Sequence, residues 1–284
     1  LTQAAASALI LFASTMNAWL QGEWYITAPT SMAPTILISI ALAMKLGIAP
    51  FHFWLPEVLQ GLSLQTGLIL STWQKLAPMA LLIQIGQHTN LNLLLTLGLL
   101  STLIGGWGGI NQTQIRKILA FSSIAHLGWM VAILKISPTL TLLNFFLYIL
   151  MTSTLFLTFL NSNTKSIHEL STSWSKTPVL AALSLLSLLS LSGLPPLTGF
   201  MPKWLIAQEM IKQDLQAFAL IILMSTLLSL FFYLRLTYTM SLTLAPNTSN
   251  SPTMWLFHKK KTFAIPILLS LLLLPITPMI MALM

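Results

Sequence analysis

Three lysines stand where an apolar chain ought to exclude them. Lys45, Lys75 and Lys203 are each flanked by runs of Ala, Leu, Ile, Met and Pro. If one membrane span runs from about Pro34 to Pro56, Lys45 lies roughly 17 Å along a hydrocarbon core about 30 Å thick, close to its middle. Lys75, within Thr72-Trp-Gln-Lys75-Leu-Ala-Pro78, is as deep between Leu62 and Gln84. An ammonium at a helix centre costs about 2.5–3.5 kcal/mol on insertion scales, so three of them require a purpose. A buried lysine takes up or releases its proton as a carboxylate or water approaches or withdraws, which is relay chemistry needing neither metal nor cofactor. The plainer reading is that they snorkel to an interface or form ion pairs that fix packing. No span carries a centred carboxylate to pair with them: Glu23, Glu57 and Glu169 are expected in loops, and Glu209 and Asp214 flank the end of a span.

His126 is the best further relay candidate, four residues after Ser122 and on the same helical face. Its alternative is a core histidine bonded to Ser122 or to a carbonyl. His52 follows Pro50 and could line a wet entrance. Lys117, beside Arg116 at a span end, is read either as a relay or as an interfacial cation. His88, His168 and His258 read as solvated loop residues.

These side chains need elements to hold them, and composition names the kind. Of 284 residues, 13 are Lys or Arg and 5 are Asp or Glu, so only 6% are charged where a soluble domain has roughly 25%. Apolar residues make up 56% and mean hydropathy is +0.85. The expected fold is therefore all-α, a polytopic transmembrane helical bundle forming one domain over residues 1–284. The net charge of +8 is read as basic loops on a lipid bilayer, not as a nucleic-acid surface. The absence of cysteine excludes disulfides, iron–sulfur ligation, thiolate zinc and cysteine nucleophiles. Gly105 to Gly109 lead into no phosphate-binding pattern and read as small residues that let helices approach. The sequons at Asn111 and Asn247 are expected by chance.

About ten spans are expected, near 2–20, 32–58, 62–84, 91–109, 117–134, 139–160, 178–194, 196–212, 215–240 and 263–283. Trp19, Trp24, Trp174 and Trp255 stand near their ends as interfacial anchors would. The larger polar connections are Asn161 to Thr177, with Lys165 and Lys176, and Ser241 to Thr262, with Lys259, Lys260 and Lys261. With alternating spans, Arg116, Lys117, Lys165, Lys176 and Lys212 fall on one side. Lys135, Arg235 and Lys259–Lys261 fall on the other, and orientation stays undecided. The chain opens inside an apolar run with no cap and no signal peptide, so further helices are expected upstream.

Two spans are interrupted by Gly and Pro: Lys45-Leu-Gly-Ile-Ala-Pro50-Phe-His52-Phe-Trp54-Leu-Pro56-Glu57 and Gly193-Leu-Pro195-Pro196-Leu-Thr-Gly199-Phe-Met-Pro202-Lys203-Trp204. Freed backbone groups at membrane depth must face protein or a wet cavity, and paired interruptions point to an ion pathway between repeats. An internal repeat matching 32–134 to 139–240 is the corresponding expectation.

Four strings carry a resemblance: Ala43 to Glu57, Thr72 to Pro78, Gly106 to Ala120 and Ser192 to Trp204. On these the chain resembles, along its whole length, the chain 2 family of vertebrate mitochondrial NADH–ubiquinone oxidoreductase, antiporter-like membrane subunits of respiratory complex I. The resemblance implies a multi-pass protein of the mitochondrial inner membrane whose partners are the other membrane subunits of complex I. It implies that Lys45 and Lys203 belong to the two broken helices and that Lys75 is the central relay of a proton-pumping module. NADH, FMN, the iron–sulfur clusters and ubiquinone would be bound by other subunits, with no cofactor and no metal bound by this chain. The family also has an intramembrane glutamate near its N-terminus, paired with the first broken-helix lysine, and no residue here matches it. Two other readings stand beside this one: a secondary cation/proton antiporter subunit, and a membrane scaffold whose lysines only fix helix register.

Overall fold

The structure, a computed structural model, describes residues 1–22, 24–26, 31–162, 164–176, 178–242, 264–272 and 275. Glu23, Trp255, His258, Lys259–Lys261 and the sequon at Asn247 lie outside these residues, as do the side chains of Ser175 and Lys176. The described residues form helices α1 (Thr2–Gln21), α2 (Met32–Leu46), α3 (Trp54–Gly61), α4 (Leu64–Ser71), α5 (Trp73–Ile85), α6 (Leu91–Ile110) and α7 (Ile115–Ile133). They continue with α8 (Pro138–Ser162), α9 (Ile167–Ser171), α10 (Ser173–Lys176), α11 (Pro178–Ser192), α12 (Phe200–Lys212), α13 (Gln216–Leu242) and α14 (Ala264–Leu272). Helices α6, α8, α13 and the α4–α5 pair are long and apolar enough to cross a bilayer. Glu57 is in the first turn of α3 and not in a loop, exposed to the surroundings.

Both interruptions fall where Gly and Pro stand. α2 ends at Gly47 with φ of 76°, a left-handed cap that L side chains resist. The indole Nε1 of Trp54, from α3, then donates to the Met44 carbonyl at 3.1 Å. α11 ends the same way at Gly193, φ 85°. A Cβ on Gly199 would collide with the backbone carbonyl of Ser190, so only glycine lets α12 begin so close to the end of α11.

A third break was not expected. The span read as 62–84 divides at Thr72, with φ of −114° and ψ of −69°, three residues before Lys75. Pro78, inside α5, weakens the helix just after this break: its ring crowds the Gln74 carbonyl four residues back and removes a helical N–H.

α11 and α12 are two halves of one pass, where the sequence suggested two spans. Ala181, Leu188 and Leu191 pack with Ile115, Phe159, Leu236 and Met240, at the start of α7 and the ends of α8 and α13. Ile206 and Met210 pack instead with Leu95, Ile133, Leu140 and Ala219, at the opposite ends of the same bundle. Lys212 therefore joins Lys135. Arg235 belongs with Arg116, because its guanidinium donates to the Ile110 carbonyl at the end of α6 (2.7 Å). The division becomes Arg116, Lys117, Lys165 and Arg235 against Lys135 and Lys212 among the described side chains, a bias where none was expected.

The order long helix, broken pass, long pass occurs twice: α1, α2–α3, α4–α5 and α8, α11–α12, α13. Windows starting at 32 and 139 set the two breaks out of register, so the expected pairing is replaced by this one. The glycines serve close approach: added Cβ atoms would strike Ala125 from Gly105, Ser101 from Gly128 and Phe232 from Gly109.

Candidate functional site

Lys75 lies in the first turn of α5 and is only 3% exposed. Its ammonium donates to the hydroxyl of Tyr148 at 3.0 Å and lies 5.0 Å from the centre of that ring. Tyr148, in the middle of α8 and fully buried, in turn donates to the carbonyl of Ser71 at 3.3 Å. The break at Thr72 creates that acceptor. In a continuous helix the Ser71 carbonyl would receive the Lys75 amide, which instead donates to the Thr72 carbonyl at 3.3 Å. One helix interruption thus both seats the lysine and frees the carbonyl that orients its tyrosine partner.

His126, buried in α7, has its ring 5.7 Å from that of Tyr148 and is within electrostatic reach of both Lys75 and Lys203. The Ser122 hydroxyl does not bind it. That hydroxyl donates to the Leu119 carbonyl at 2.8 Å, and Ser123 donates to Ala120 at 2.7 Å. Across from this face, in α13, the hydroxyl of Tyr233 is buried without a hydrogen-bond partner; the Ser122 side chain is its polar neighbour.

Lys203 sits in α12 just past the second break. Its ammonium reaches back to the last carbonyls of α11, Ser192 at 2.9 Å and Leu191 at 3.4 Å. A cation at a helix C-terminus meets the negative end of the backbone dipole. Gly193 leaves the space for it, since a Cβ there would come 2.9 Å from the lysine nitrogen. Lys45 instead lies before its break, in the last turn of α2, and there Trp54 takes the carbonyl role that Lys203 has in the other break. Lys45 and Lys75 line one cavity of about 440 Å³, together with Gln3, Trp54, Leu70 and Gln74. No carboxylate pairs with these three lysines among the described residues; the ion pair formed there is Lys212 with Glu209 at 3.1 Å.

The remaining candidates are placed apart from this group. His52 is buried in the first break with its ring 4.2 Å from Phe53, and its Nδ1 finds no hydrogen-bond partner. It does not line the cavity shared by Lys45 and Lys75. Lys117 is half-buried near the start of α7, about 14 Å along that helix from His126 at the usual rise. Sequence reasoning passed over Tyr148 and Tyr233. A signal was present: the chain has 4 tyrosines, and a hydroxyl central to a long apolar span needs a buried partner.

Comparison with known proteins bears on this arrangement. Residues 1–229 match the family described as NADH:quinone oxidoreductase/Mrp antiporter, TM. Residues 230–281 match NADH dehydrogenase subunit 2 C-terminus. NADH-ubiquinone oxidoreductase chain 2 of Xenopus laevis is 61% identical over 282 residues, 98% of this chain and 82% of the relative. The Salmo salar protein of the same name is 60% identical over 281 residues, 98% of this chain and 80% of the relative. The chain belongs to the NADH-ubiquinone oxidoreductase chain 2 family.

Solved structures agree on the fold of this chain 2 family member. A chain of respiratory complex I from Thermus thermophilus, solved with bound aureothin, matches with TM-score 0.85 and 25% identity, over 99% of this chain and 66% of that one. A chain of the Mrp complex from Dietzia sp. DQ12-45-1b matches with TM-score 0.78 at 21% identity, over 87% of this chain and 50% of that one, and shares the fold. Antiporter-like membrane architecture, with helices interrupted beside lysines, is therefore the frame in which the chain 2 residues act.

Proposed function

We propose that this chain is a core membrane subunit of respiratory complex I and contributes to proton translocation across the mitochondrial inner membrane, coupled to electron transfer from NADH to ubiquinone. It acts as one translocation unit beside the other membrane subunits of the complex. The redox chemistry belongs to other subunits, which bind NADH, FMN, the iron–sulfur clusters and ubiquinone. The basic face carrying Arg116, Lys117, Lys165 and Arg235 turns to the matrix, the side on which short loops retain Lys and Arg.

The observation that carries the reading is the buried contact of Lys75 with Tyr148, between a cavity shared with Lys45 and a histidine within reach of Lys203. In the proposed route Lys45 and Lys75 exchange a proton through their common cavity. The Lys75 ammonium gives its proton to the Tyr148 oxygen as the tyrosine's own proton leaves the Ser71 carbonyl for His126. His126 passes the proton to Lys203 in its neutral amine form, and the ammonium so formed is held by the α11 carbonyls until the break shifts. Each hand-over moves one proton from a nitrogen or oxygen to the next, and no group changes oxidation state.

Replacement of Lys75 or Lys203 by Met tests this in complex I reconstituted into liposomes, with protons moved per NADH oxidised as the readout. Met keeps a similar volume and removes an ammonium that is costly to bury unpaired, so the variants are expected to assemble. The relay reading expects pumping to collapse in the assembled variants; unchanged pumping leaves only a scaffold. Fold likeness to the Mrp chain supports the antiporter as the second reading. That reading expects the isolated chain in vesicles to exchange cations for protons down a pH gradient, whereas a complex I subunit alone does not.

A further inference from the structure

We infer that the basic end of the bundle holds a binding site for a phosphate group, filled by the headgroup of an acidic phospholipid. The site is a cavity of about 540 Å³ lined by Ser63, Leu64, Gln65, Arg116, Leu160 and Lys165. It is separate from the lysine relay, which lies in the interior of the bundle.

Its two cations are fixed side by side by the backbone. The turn before α7 and the segment after α8 form an isolated antiparallel bridge between Gln114 and Ser166. The Ile115 amide donates to the Lys165 carbonyl at 3.2 Å and the Ile167 amide donates to the Thr113 carbonyl at 3.2 Å. Arg116 is anchored from its other side, one guanidinium nitrogen donating to the Leu62 carbonyl that closes α3. Its remaining N–H groups present the fork that matches a phosphate. Lys165 is exposed and brings a second point charge.

The balance of charge at the rim favours an anion. Glu169 contributes a carboxylate, held on the Lys165 amide at 2.7 Å, against Arg116, Lys165 and the neighbouring Lys117. Ser63 and Gln65 supply further polar groups. Leu64 and Leu160 turn the inner wall apolar where α4 and α8 run into the membrane, which is the mixed lining a headgroup with acyl chains requires. A free phosphate shares the charged half of this chemistry and has no use for the leucines.

The test uses the assembled complex in detergent with a photoactivatable diazirine in the headgroup region of phosphatidylglycerol, and peptide mapping of the label. Expected are labelled peptides spanning 63–65 and 160–165, and a loss of about fivefold or more in K165Q and in R116K, consistent with the share of a charge-assisted hydrogen bond. R116K keeps a cation for the Leu62 carbonyl and loses only the fork, so folding and binding are separated. Displacement of the label by millimolar inorganic phosphate supports the phosphate site and reassigns its occupant to a soluble anion. Equal labelling by the phosphatidylcholine analogue, or labelling unchanged in both variants, overturns the proposal.

Discussion

Lys75 is buried among helices α5 and α8 with a tyrosine hydroxyl as its hydrogen-bond partner. A buried hydrogen bond to a charged group contributes about 1.5–3 kcal/mol, and most of that is lost when the acceptor is deleted. Tyr148→Phe keeps the ring and removes the oxygen. On the proposed route it should slow the proton step through Lys75 by about ten- to hundredfold, read as fewer protons moved per NADH oxidised in liposomes holding the assembled complex. Tyr233→Phe is a useful contrast, because its hydroxyl has no partner to lose; little change in assembly is expected, and any pumping defect would place Tyr233 on the route. Both tyrosines escaped the reading of the sequence. A lysine in an apolar run announces itself by its charge, whereas a tyrosine is common in such runs and gains meaning only from what its hydroxyl touches.

At the scale of elements, the interruptions do the positioning. Gly199 lets α12 start against the Ser190 carbonyl, and Gly193 adopts a left-handed φ while leaving room for the Lys203 ammonium. Gly199→Ala should cost about 1–3 kcal/mol as overpacking against backbone that cannot yield. Gly193→Ala should cost about 1–2 kcal/mol for its backbone conformation and also push Lys203 off its carbonyls. The first should lower the thermal stability or yield of the assembled complex. The second should lower pumping more than assembly. The broken helices at 47 and 193 were legible because Gly and Pro cluster there. The break at Thr72 was less so: Pro78 is visible, but a proline can bend a helix or interrupt it, and packing against α8 selects the outcome.

For the whole molecule, the structure sorts the cations unevenly between the two ends of the bundle, where the sequence left them even. Treating 178–194 and 196–212 as separate spans reversed the side assigned to Lys212 and Arg235. Joined as one discontinuous pass, they place Ser171 and Lys212 on opposite faces. The chain lacks cysteine, so a thiol introduced as Ser171→Cys or Lys212→Cys is the sole target in it. In mitochondria, a membrane-impermeant maleimide added from the intermembrane side should label the cysteine at 212 and spare that at 171 until the matrix side is opened. Labelling of both from one side would restore the ten-span count and cancel the basic bias.

Composition alone determined that the chain lives in lipid, because charged residues at 6% cannot cover a water-exposed surface. It also determined that Lys45, Lys75, Lys203 and His126 need explaining, since burying an ionisable group is costly wherever it occurs. Tertiary structure decided which of these groups meet. Hydrogen bonds reach about 3 Å, and residues that share one here, such as Lys75 and Tyr148, come from separate helices. Spacing along one chain determines which face of a helix a side chain occupies. Only the packing of α5, α7, α8 and α12 against one another determines what that face touches.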